Sequence, residues 1–233
     1  RGYVLLLVDA TQRREAERMR REFSANVSHE LKTPLTSISG YAELIENGMA
    51  QPEDVSSFAG KIRSEAARLL ALVEDIMYLS KLDEGAERLP SERIKLSEVA
   101  ADVVKALEAQ AQARNVRVEL APGTGEILGV KQLVWEILYN LVDNAIKYNV
   151  EGGSVRVAVE EGYATVEDTG VGIAPEHQEK VFERFYRVDR SRSRATGGTG
   201  LGLSIVKHAA ERMGAQITLL SNPGLGTRVR VRF

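Results

Sequence analysis

The composition of this 233-residue chain limits what it can be. With 43% hydrophobic and 27% charged residues it resembles a folded soluble protein rather than a disordered one, and the length is enough for two domains. A formal net charge of −2 gives no reason to expect nucleic acid as a partner, and the absence of cysteine excludes disulfides and thiolate zinc sites. No apolar run approaches the ~20 residues of a membrane span. Because the chain begins at Arg1, we expect it to be part of a longer protein.

The first third of the chain predicts one strand and two long helices. Tyr3–Val8 is typical of a β-strand, and we expect it to end an upstream domain. Apolar residues then recur every three or four positions from Gln12 to Asn47 and again from Pro52 to Lys81. The first stripe is formed by Met19, Phe23, Val27, Leu31, Pro34, Ile38, Ala42 and Ile45, and the second by Phe58, Ile62, Leu69, Val73, Ile76 and Leu79. Two such helices form a hairpin, and two hairpins form a four-helix bundle.

A histidine stands on the polar side of the first predicted helix. His29 lies opposite the apolar stripe, beside Glu30, so we expect it to face solvent, and Thr33 shares its face one turn later. Pro34 cannot donate a hydrogen bond to the carbonyl of Glu30. We therefore predict that the helix bends or loosens beside His29.

The sequence after Gly85–Pro90 mixes short strands with helices. The predicted strands are Arg93–Leu96, Val116–Leu120, Ser154–Glu160, Tyr163–Glu167, Ala215–Leu220 and Thr227–Phe233, and the predicted helices are Ser97–Ala113, Val130–Tyr148 and Gly200–Met213. Because strands and helices do not alternate strictly, an α+β fold is favoured over a parallel α/β fold.

Three polar segments of this second half suggest a ligand site. Asn140, Asn144 and Lys147 share one helical face, and amide oxygens with a lysine suit magnesium and phosphate. Asp168 is followed by two glycines directly after a strand, and the glycine-rich segment 197–202 opens a helix, where backbone amides favour phosphate. Each segment alone is also compatible with an ordinary solvated helix or a turn. The Rossmann fingerprint does not apply, because no strand precedes the glycines, and the Walker A and protein-kinase motifs are absent.

Taken in order, the motifs resemble those of a protein family. SHELKTPL, NLVDNAIKY, DTGVG, FERFYR and GTGLGLSIVK are similar to the H, N, first glycine, F and second glycine boxes of bacterial sensor histidine kinases. The resemblance runs from about Glu22 to Phe233. It implies an α+β architecture in which a helical-hairpin dimerisation bundle precedes an α/β-sandwich ATP-binding domain of the Bergerat type. The implied domains are the end of a PAS-like sensor domain with the start of a signalling helix at 1–12, a dimerisation and phosphotransfer domain at 13–84, a linker at 85–92 and an ATP-binding domain at 93–233.

The resemblance also implies roles for individual residues. His29 would accept phosphate, Glu30 would act as its acid or base, Thr33 would orient water for dephosphorylation, and Arg187 would steady the γ-phosphate. Asn144 and Asn140 would hold Mg²⁺. The remaining residues implied in ATP binding are Lys147, Tyr148, Asp168, Gly170, Gly172, Gly198, Thr199, Gly200, Leu201 and Gly202.

The implied partners are a second copy of the chain, a response-regulator receiver domain and ATP, with no nucleic acid. Membrane contact is expected only through parts outside this sequence, so the chain would be the cytoplasmic portion of a membrane-anchored bacterial receptor. Three other functions stay open: a phosphatase acting on the regulator, a non-catalytic nucleotide-binding scaffold, and a gyrase-like ATPase. The scaffold is disfavoured because His29, Asn144 and Asp168 are all present, and the ATPase leaves the exposed His-Glu pair unexplained.

Overall fold

The computed structural model describes residues 11–84, 90–189 and 198–233. The predicted strand Tyr3–Val8 lies outside the described residues. By their contacts the residues separate into a first unit ending at Leu70 and a second from Ala71 to Phe233, so the division falls within the second helix. The domain boundaries given above stay a prediction. Within the described ranges, no helix is both long enough and apolar enough to cross a membrane.

The first unit contains the first predicted helix and the start of the second. Helix α1 spans Thr11–Glu46, and helix α2, which spans Pro52–Glu84, begins in this unit. Gly48 makes the turn between them with φ +65°, and Glu53 and Asp54 in the first turn of α2 complement its positive N-terminal dipole. Tyr41 and Phe58 pack with ring centroids 5.3 Å apart. The two helices thus have the bounds that the sequence predicts to within a residue, apart from three residues at the end of α2.

Pro34 does not end helix α1, which is continuous across it. Around the proline, the hydroxyls of Ser28, Thr33, Thr36 and Ser37 each donate to the carbonyl four residues earlier, at 2.9, 3.2, 2.9 and 3.3 Å. Such hydroxyl bonds compete with the backbone ladder and often bend helices. The predicted loosening beside His29 stays a prediction, and these bonds are consistent with it.

The described part of the first unit buries little apolar surface. Between residues 21 and 70, Pro34 alone is buried. Leu35, Met49 and Leu70 are 50, 63 and 60% exposed. A hairpin of this kind does not enclose a core by itself.

The second unit is an α/β sandwich. After the end of α2 its elements are β1 (Glu92–Lys95), α3 (Leu96–Ala113), β2 (Arg117–Leu120), β3 (Glu126–Gly129), α4 (Lys131–Lys147), β4 (Ser154–Glu160), β5 (Tyr163–Asp168), α5 (Pro175–Gln178), a 3₁₀ turn (Lys180–Phe182), α6 (Gly202–Met213), β6 (Gln216–Asn222) and β7 (Gly226–Arg232). In the described part, five strands form a sheet in the order β2-β4-β5-β7-β6, and β1 pairs with β3 separately. The β2–β4 pair is parallel and the other pairs are antiparallel.

Helices α3, α4 and α6 cover one face of the sheet. Val155, Val157 and Val159 of β4 point into the core, whereas Arg156 between them is exposed, which is the pattern of a sheet with one solvated face. The helices contribute apolar side chains that are at most 2% exposed, among them Val99, Val103, Leu107, Val134, Ile137, Leu138, Val206 and Ala209. The predicted α+β class and the sandwich are therefore confirmed.

Three short elements were not predicted, and one residue was assigned to the wrong face of a helix. Strand β3, helix α5 and the 3₁₀ turn were not predicted, because each has only three or four residues and too little periodicity to read. Val73 was assigned to the apolar face of α2, but it is 37% exposed, and its neighbour Leu72 is buried instead. Near its C-terminus α2 packs on the core of the second unit through Leu82. The buried face of this part of the helix therefore includes Leu72 and Leu82 but not Val73.

Candidate functional site

A cavity of about 400 Å³ lies beside the C-terminal half of α4. Three regions predicted from the motifs line it: α4 with its C-cap, the end of β5 with the following loop, and the glycine-rich segment before α6. The predicted residues in its wall are Asn140, Asn144, Lys147, Tyr148, Asp168, Gly172, Arg187, Gly198, Thr199, Gly200 and Gly202. Segments that are distant in the sequence therefore meet at one cavity.

Two predicted residues do not line the cavity. The side chain of Leu201 is fully buried and belongs to the core rather than to the cavity wall. Gly170 lies behind the wall, where an added Cβ would stand 2.5 Å from the carbonyl oxygen of Tyr148. Both positions contribute to packing around the site.

The two asparagines of α4 face the start of α6. Asn140 Nδ2 donates to the carbonyl of Glu136 at 2.9 Å, which turns Oδ1 outward. A Cβ at Gly202 would stand 2.9 Å from that oxygen and 3.3 Å from Asn144 Nδ2, so only glycine leaves this space open. Magnesium is commonly held by one or two protein oxygens together with substrate phosphates. The amide oxygens and the open space beside the helix N-terminus fit that donor set, although no cluster of three acidic or histidine ligands occurs in the described residues.

Lys147 is held by a chain of polar contacts. Its ammonium lies 2.7 Å from Asp143 Oδ2, and Gln110 Nε2 donates to Asp143 Oδ1 at 2.7 Å. Asp143 is 8% exposed, so the carboxylate is fixed between its two partners. The ammonium group of Lys147 therefore lies at the cavity wall, and residues of α3 and α4 fix its orientation.

Asp168 ends β5 inside the cavity. Its Oδ1 accepts from the backbone amides of Gly170 at 2.8 Å and Thr227 at 3.2 Å. Burial raises the pKa of the carboxyl, and these two hydrogen bonds oppose the rise. Because both bonds use Oδ1, the hydrogen bonds found among the described residues leave Oδ2 for a ligand.

Two glycines of the site adopt left-handed backbone conformations. Gly172 has φ +68°, and a Cβ there would stand 2.0 Å from the carbonyl oxygen of Asn222. Gly200 has φ +76°, and its carbonyl accepts from the amide of Phe185 at 2.8 Å. An L-residue would be strained at either position.

The segment before α6 is tied to its surroundings by side chains. Arg187 donates to the carbonyl of Gly198, and Thr199 Oγ1 donates to Asp75 Oδ2 of α2 at 2.7 Å. The amide of Leu201 donates to Thr199 Oγ1 at 3.2 Å. The N-terminus of α6 therefore adjoins the cavity, where backbone amides and the helix dipole favour an anion.

His29 lies on the surface of the first unit, as predicted. Glu30, its neighbour, has Oε2 3.5 Å from the guanidinium of Arg68 on α2. Thr33 Oγ1 donates to the carbonyl of His29 at 3.2 Å. An exposed imidazole thus stands beside a carboxylate that an arginine holds in place.

Sequence reasoning missed four residues of these sites. Asp143 and Lys147 are four residues apart on a helix, so their pairing was accessible from spacing. Gln110 is 33 residues from Asp143, Asp75 is 124 residues from Thr199, and Arg68 is 38 residues from Glu30. No local sequence pattern marks these three pairs.

Family comparisons agree with this arrangement. Residues 129–233 match the family described as histidine kinase-, DNA gyrase B- and HSP90-like ATPase, and residues 19–85 match the His Kinase A (phospho-acceptor) domain. The chain therefore contains a phospho-acceptor region that includes the helical hairpin and an ATPase-type region that includes most of the sandwich.

Individual relatives are sensor kinases. The chain is 40% identical to the sensor-like histidine kinase SenX3 of Mycolicibacterium smegmatis over 230 residues, covering 96% of this chain and 60% of that protein. It is 37% identical to the phosphate regulon sensor protein PhoR of Pseudomonas aeruginosa over 243 residues, covering 100% of this chain and 54% of that protein. The crystal structure of the histidine kinase ThkA in complex with the response regulator protein TrrA matches with a TM-score of 0.73 and 25% identity, covering 96% of this chain and 64% of that one.

The chain belongs to the sensor histidine kinases. It spans 60 and 54% of the length of the two relatives named by sequence.

Proposed function

We propose that this chain is the kinase core of a two-component system, which phosphorylates His29 with ATP and Mg²⁺ and passes the phosphoryl group to an aspartate of a response regulator. The observation that carries the proposal is the presence, in one chain, of an exposed His-Glu pair on a hairpin helix and a cavity built from the asparagine, aspartate and glycine segments. The hairpin supplies the acceptor and the cavity supplies the donor.

At the acceptor, the neutral imidazole of His29 attacks the γ-phosphorus of ATP, an N–P bond forms, and ADP leaves. Glu30 accepts the proton from the second ring nitrogen, and Arg68 holds its carboxylate in place. The phosphoramidate then gives its phosphoryl group to a carboxylate oxygen of the regulator.

In the cavity, each residue has a role that its position supports. Asp168 Oδ2 accepts from the adenine amino group, and Tyr148 packs near the base. Asn144, with Asn140, would hold Mg²⁺, which would neutralise charge at the phosphates. Lys147 and Arg187 face phosphate oxygens, while Gly172, Gly198, Thr199, Gly200 and Gly202 bring backbone amides close to them.

Two partners follow from the first unit. The exposed apolar residues Leu35, Met49 and Leu70 support a homodimer in which two hairpins form a four-helix bundle. Light scattering after size exclusion measures this state, and a monomer at micromolar concentration would contradict it. A response regulator is the second partner, as the ThkA complex with TrrA shows for that kinase. Membrane anchorage through further parts of the protein belongs to the same proposal.

Incubation with γ-labelled ATP and Mg²⁺ tests the kinase. We expect acid-labile, alkali-stable label on the parent chain, none on His29→Gln, and undiminished label on His177→Gln as the matched control. Label that survives in His29→Gln would place the acceptor elsewhere and overturn the assignment.

We also propose that Thr33 supports dephosphorylation of the regulator. Its side chain stands one turn from the exposed His29, and its hydroxyl bond to the His29 carbonyl fixes the direction of the oxygen. Thr33→Ala should lower the phosphatase rate by about 100-fold, the low end for a positioned catalytic group, with little change in autophosphorylation. Thr36→Ala is the control, because Thr36 makes the same type of bond, to Lys32 at 2.9 Å. Equal rates for Thr33→Ala and the parent would refute this role.

A further inference from the structure

A carboxylate from helix α2 enters the wall of the nucleotide cavity. Ala71, Glu74 and Asp75 line it, opposite the asparagines of α4. Asp75 Oδ2 accepts the hydroxyl of Thr199 at 2.7 Å, in the middle of the glycine-rich segment. The motif boxes of the chain include Thr199 but not Asp75, so this contact joins the site to a residue outside its motifs.

The position of Asp75 is fixed by other contacts of the same helix. Arg184 Nη2 lies 2.7 and 2.9 Å from the two carboxylate oxygens of Asp83, and Arg212 Nη1 donates to the carbonyl of Leu82 at 2.9 Å. Leu79 is fully buried, and Leu82 is 8% exposed within the core of the second unit. Asp75 therefore stays at the cavity without depending on its bond to Thr199 alone.

The surroundings of Asp75 make its charge relevant to an anionic ligand. Burial raises the pKa of this carboxyl, while the hydrogen bond from Thr199 and the charge of Lys147 lower it and Asp143 raises it. Asp75 thus interacts with the same lysine that faces the phosphates. A phosphate at the glycine-rich segment would approach this carboxylate, and like charges repel strongly where solvent is limited.

We propose that Asp75 is a specificity-determining residue of the nucleotide site: it holds Thr199 and disfavours the terminal phosphate, so it lowers the affinity for ATP more than the affinity for ADP. The proposal rests on the function proposed above. The third phosphate of ATP brings additional negative charge to the end of the cavity at which Thr199 lies. ADP lacks this phosphate, so it is repelled less by Asp75.

The consequence is a coupling between nucleotide and helix. If Asp75 at its place on α2 weakens ATP binding, bound ATP must weaken the contact of Asp75 with Thr199 by the same free energy. A change in the position of this part of α2 would then alter the preference for ATP over ADP.

Binding titrations of the complete chain test the proposal, with Mg²⁺ and either ADP or a non-hydrolysable triphosphate analogue. For Asp75→Asn we expect the triphosphate to bind about fivefold or more tightly and the diphosphate to change by less than about twofold. Asparagine can still accept from Thr199, so this variant isolates the charge. Asp75→Ala, which also removes the acceptor, should strengthen triphosphate binding at least as much.

Asp102→Asn, at an exposed aspartate of α3, is the matched control. It removes one negative charge away from Thr199 and leaves the contacts of α2 intact, so the ratio of the two affinities should stay at the parental value. An equal gain for both nucleotides in Asp75→Asn, or the same change of ratio in Asp102→Asn, would overturn the proposal. A parent chain that binds neither nucleotide would instead refute the proposed function, which separates the two failures.

Discussion

The two units of the molecule differ in the range of the contacts that build their functional groups. Around His29 the hydroxyl bonds join residues four positions apart, and between residues 21 and 70 only Pro34 is buried. In the second unit, Gln110 reaches Asp143 and Thr199 reaches Asp75 across 33 and 124 positions. The acceptor is therefore a local feature displayed on a helix, whereas the nucleotide cavity exists only when a complete core has formed.

The largest expected effect separates the cavity from the hairpin. Asp168→Asn should weaken binding of Mg-ADP about 100-fold or more. The substitution removes the carboxylate that pairs with the adenine amino group, and a polar group left unpaired in a buried site costs much of the binding free energy. The amide can still accept from Gly170 and Thr227, so the fold should survive. Calorimetric titration measures the affinity, and circular dichroism should show unchanged helix content.

The control for this variant is Asp102→Asn, at an exposed aspartate of α3. It should bind nucleotide like the parent. If Asp168→Asn bound nucleotide with an affinity within twofold of the parent, the Asp168 carboxylate would not contribute to nucleotide recognition.

Glycine substitutions should affect the two units in opposite directions. Gly172→Ala introduces a Cβ 2.0 Å from the Asn222 carbonyl oxygen at φ +68°, so it should lower the free energy of unfolding of the second unit by about 2–4 kcal/mol. Gly60 lies within α2, where the new Cβ of Gly60→Ala would have no atom of the described residues within 4 Å apart from its chain neighbours and the adjoining helix backbone. This substitution should stabilise the helix by about 0.5–1 kcal/mol.

Two probes follow these changes separately. Fluorescence of Trp135, the single tryptophan, reports unfolding of the second unit, and circular dichroism reports both. If Gly172→Ala left the Trp135 transition in place, the close approach to Asn222 would not be needed for stability.

A smaller effect should appear as a pH dependence confined to the second unit. Burial, with the charge of Asp75 adding to it, raises the pKa of Glu136 to about 7 from 4.5. The folded state therefore binds more protons than the unfolded state between these values, and stability falls as pH rises through this window. Because Glu136 is partly accessible, the loss should be about 1–2 kcal/mol rather than the full value of the shift.

Glu136→Gln should remove this dependence. We expect its advantage over the parent to be near zero at about pH 4.5 and to reach about 1–2 kcal/mol at pH 8 in urea unfolding followed by Trp135. Glu108→Gln, at an exposed glutamate of α3, should show no such trend. A constant difference between Glu136→Gln and the parent across this range would contradict the buried carboxyl.

Much of the architecture was predictable because its signals are periodic. The long helices, the exposure of His29 and the main strands follow from spacings of three, four and two residues. Short elements such as β3, with four residues and Leu128 74% exposed, have no such signal and form because β1 is there to pair with them. Leu201 illustrates another limit, since a residue inside a ligand motif can serve the core while its neighbours line the cavity.

The sequence by itself determined the two helices, the α+β class, the order of the motifs and the face on which His29 stands, since each depends on local periodicity or on residue types at close spacing. Only the tertiary structure decided that Asp75 meets Thr199, that Gln110 and Asp143 orient Lys147, and that Arg68 holds Glu30. Those contacts join side chains whose separation along the chain carries no information about their distance in space, and packing of the core and of the hairpin brings them together.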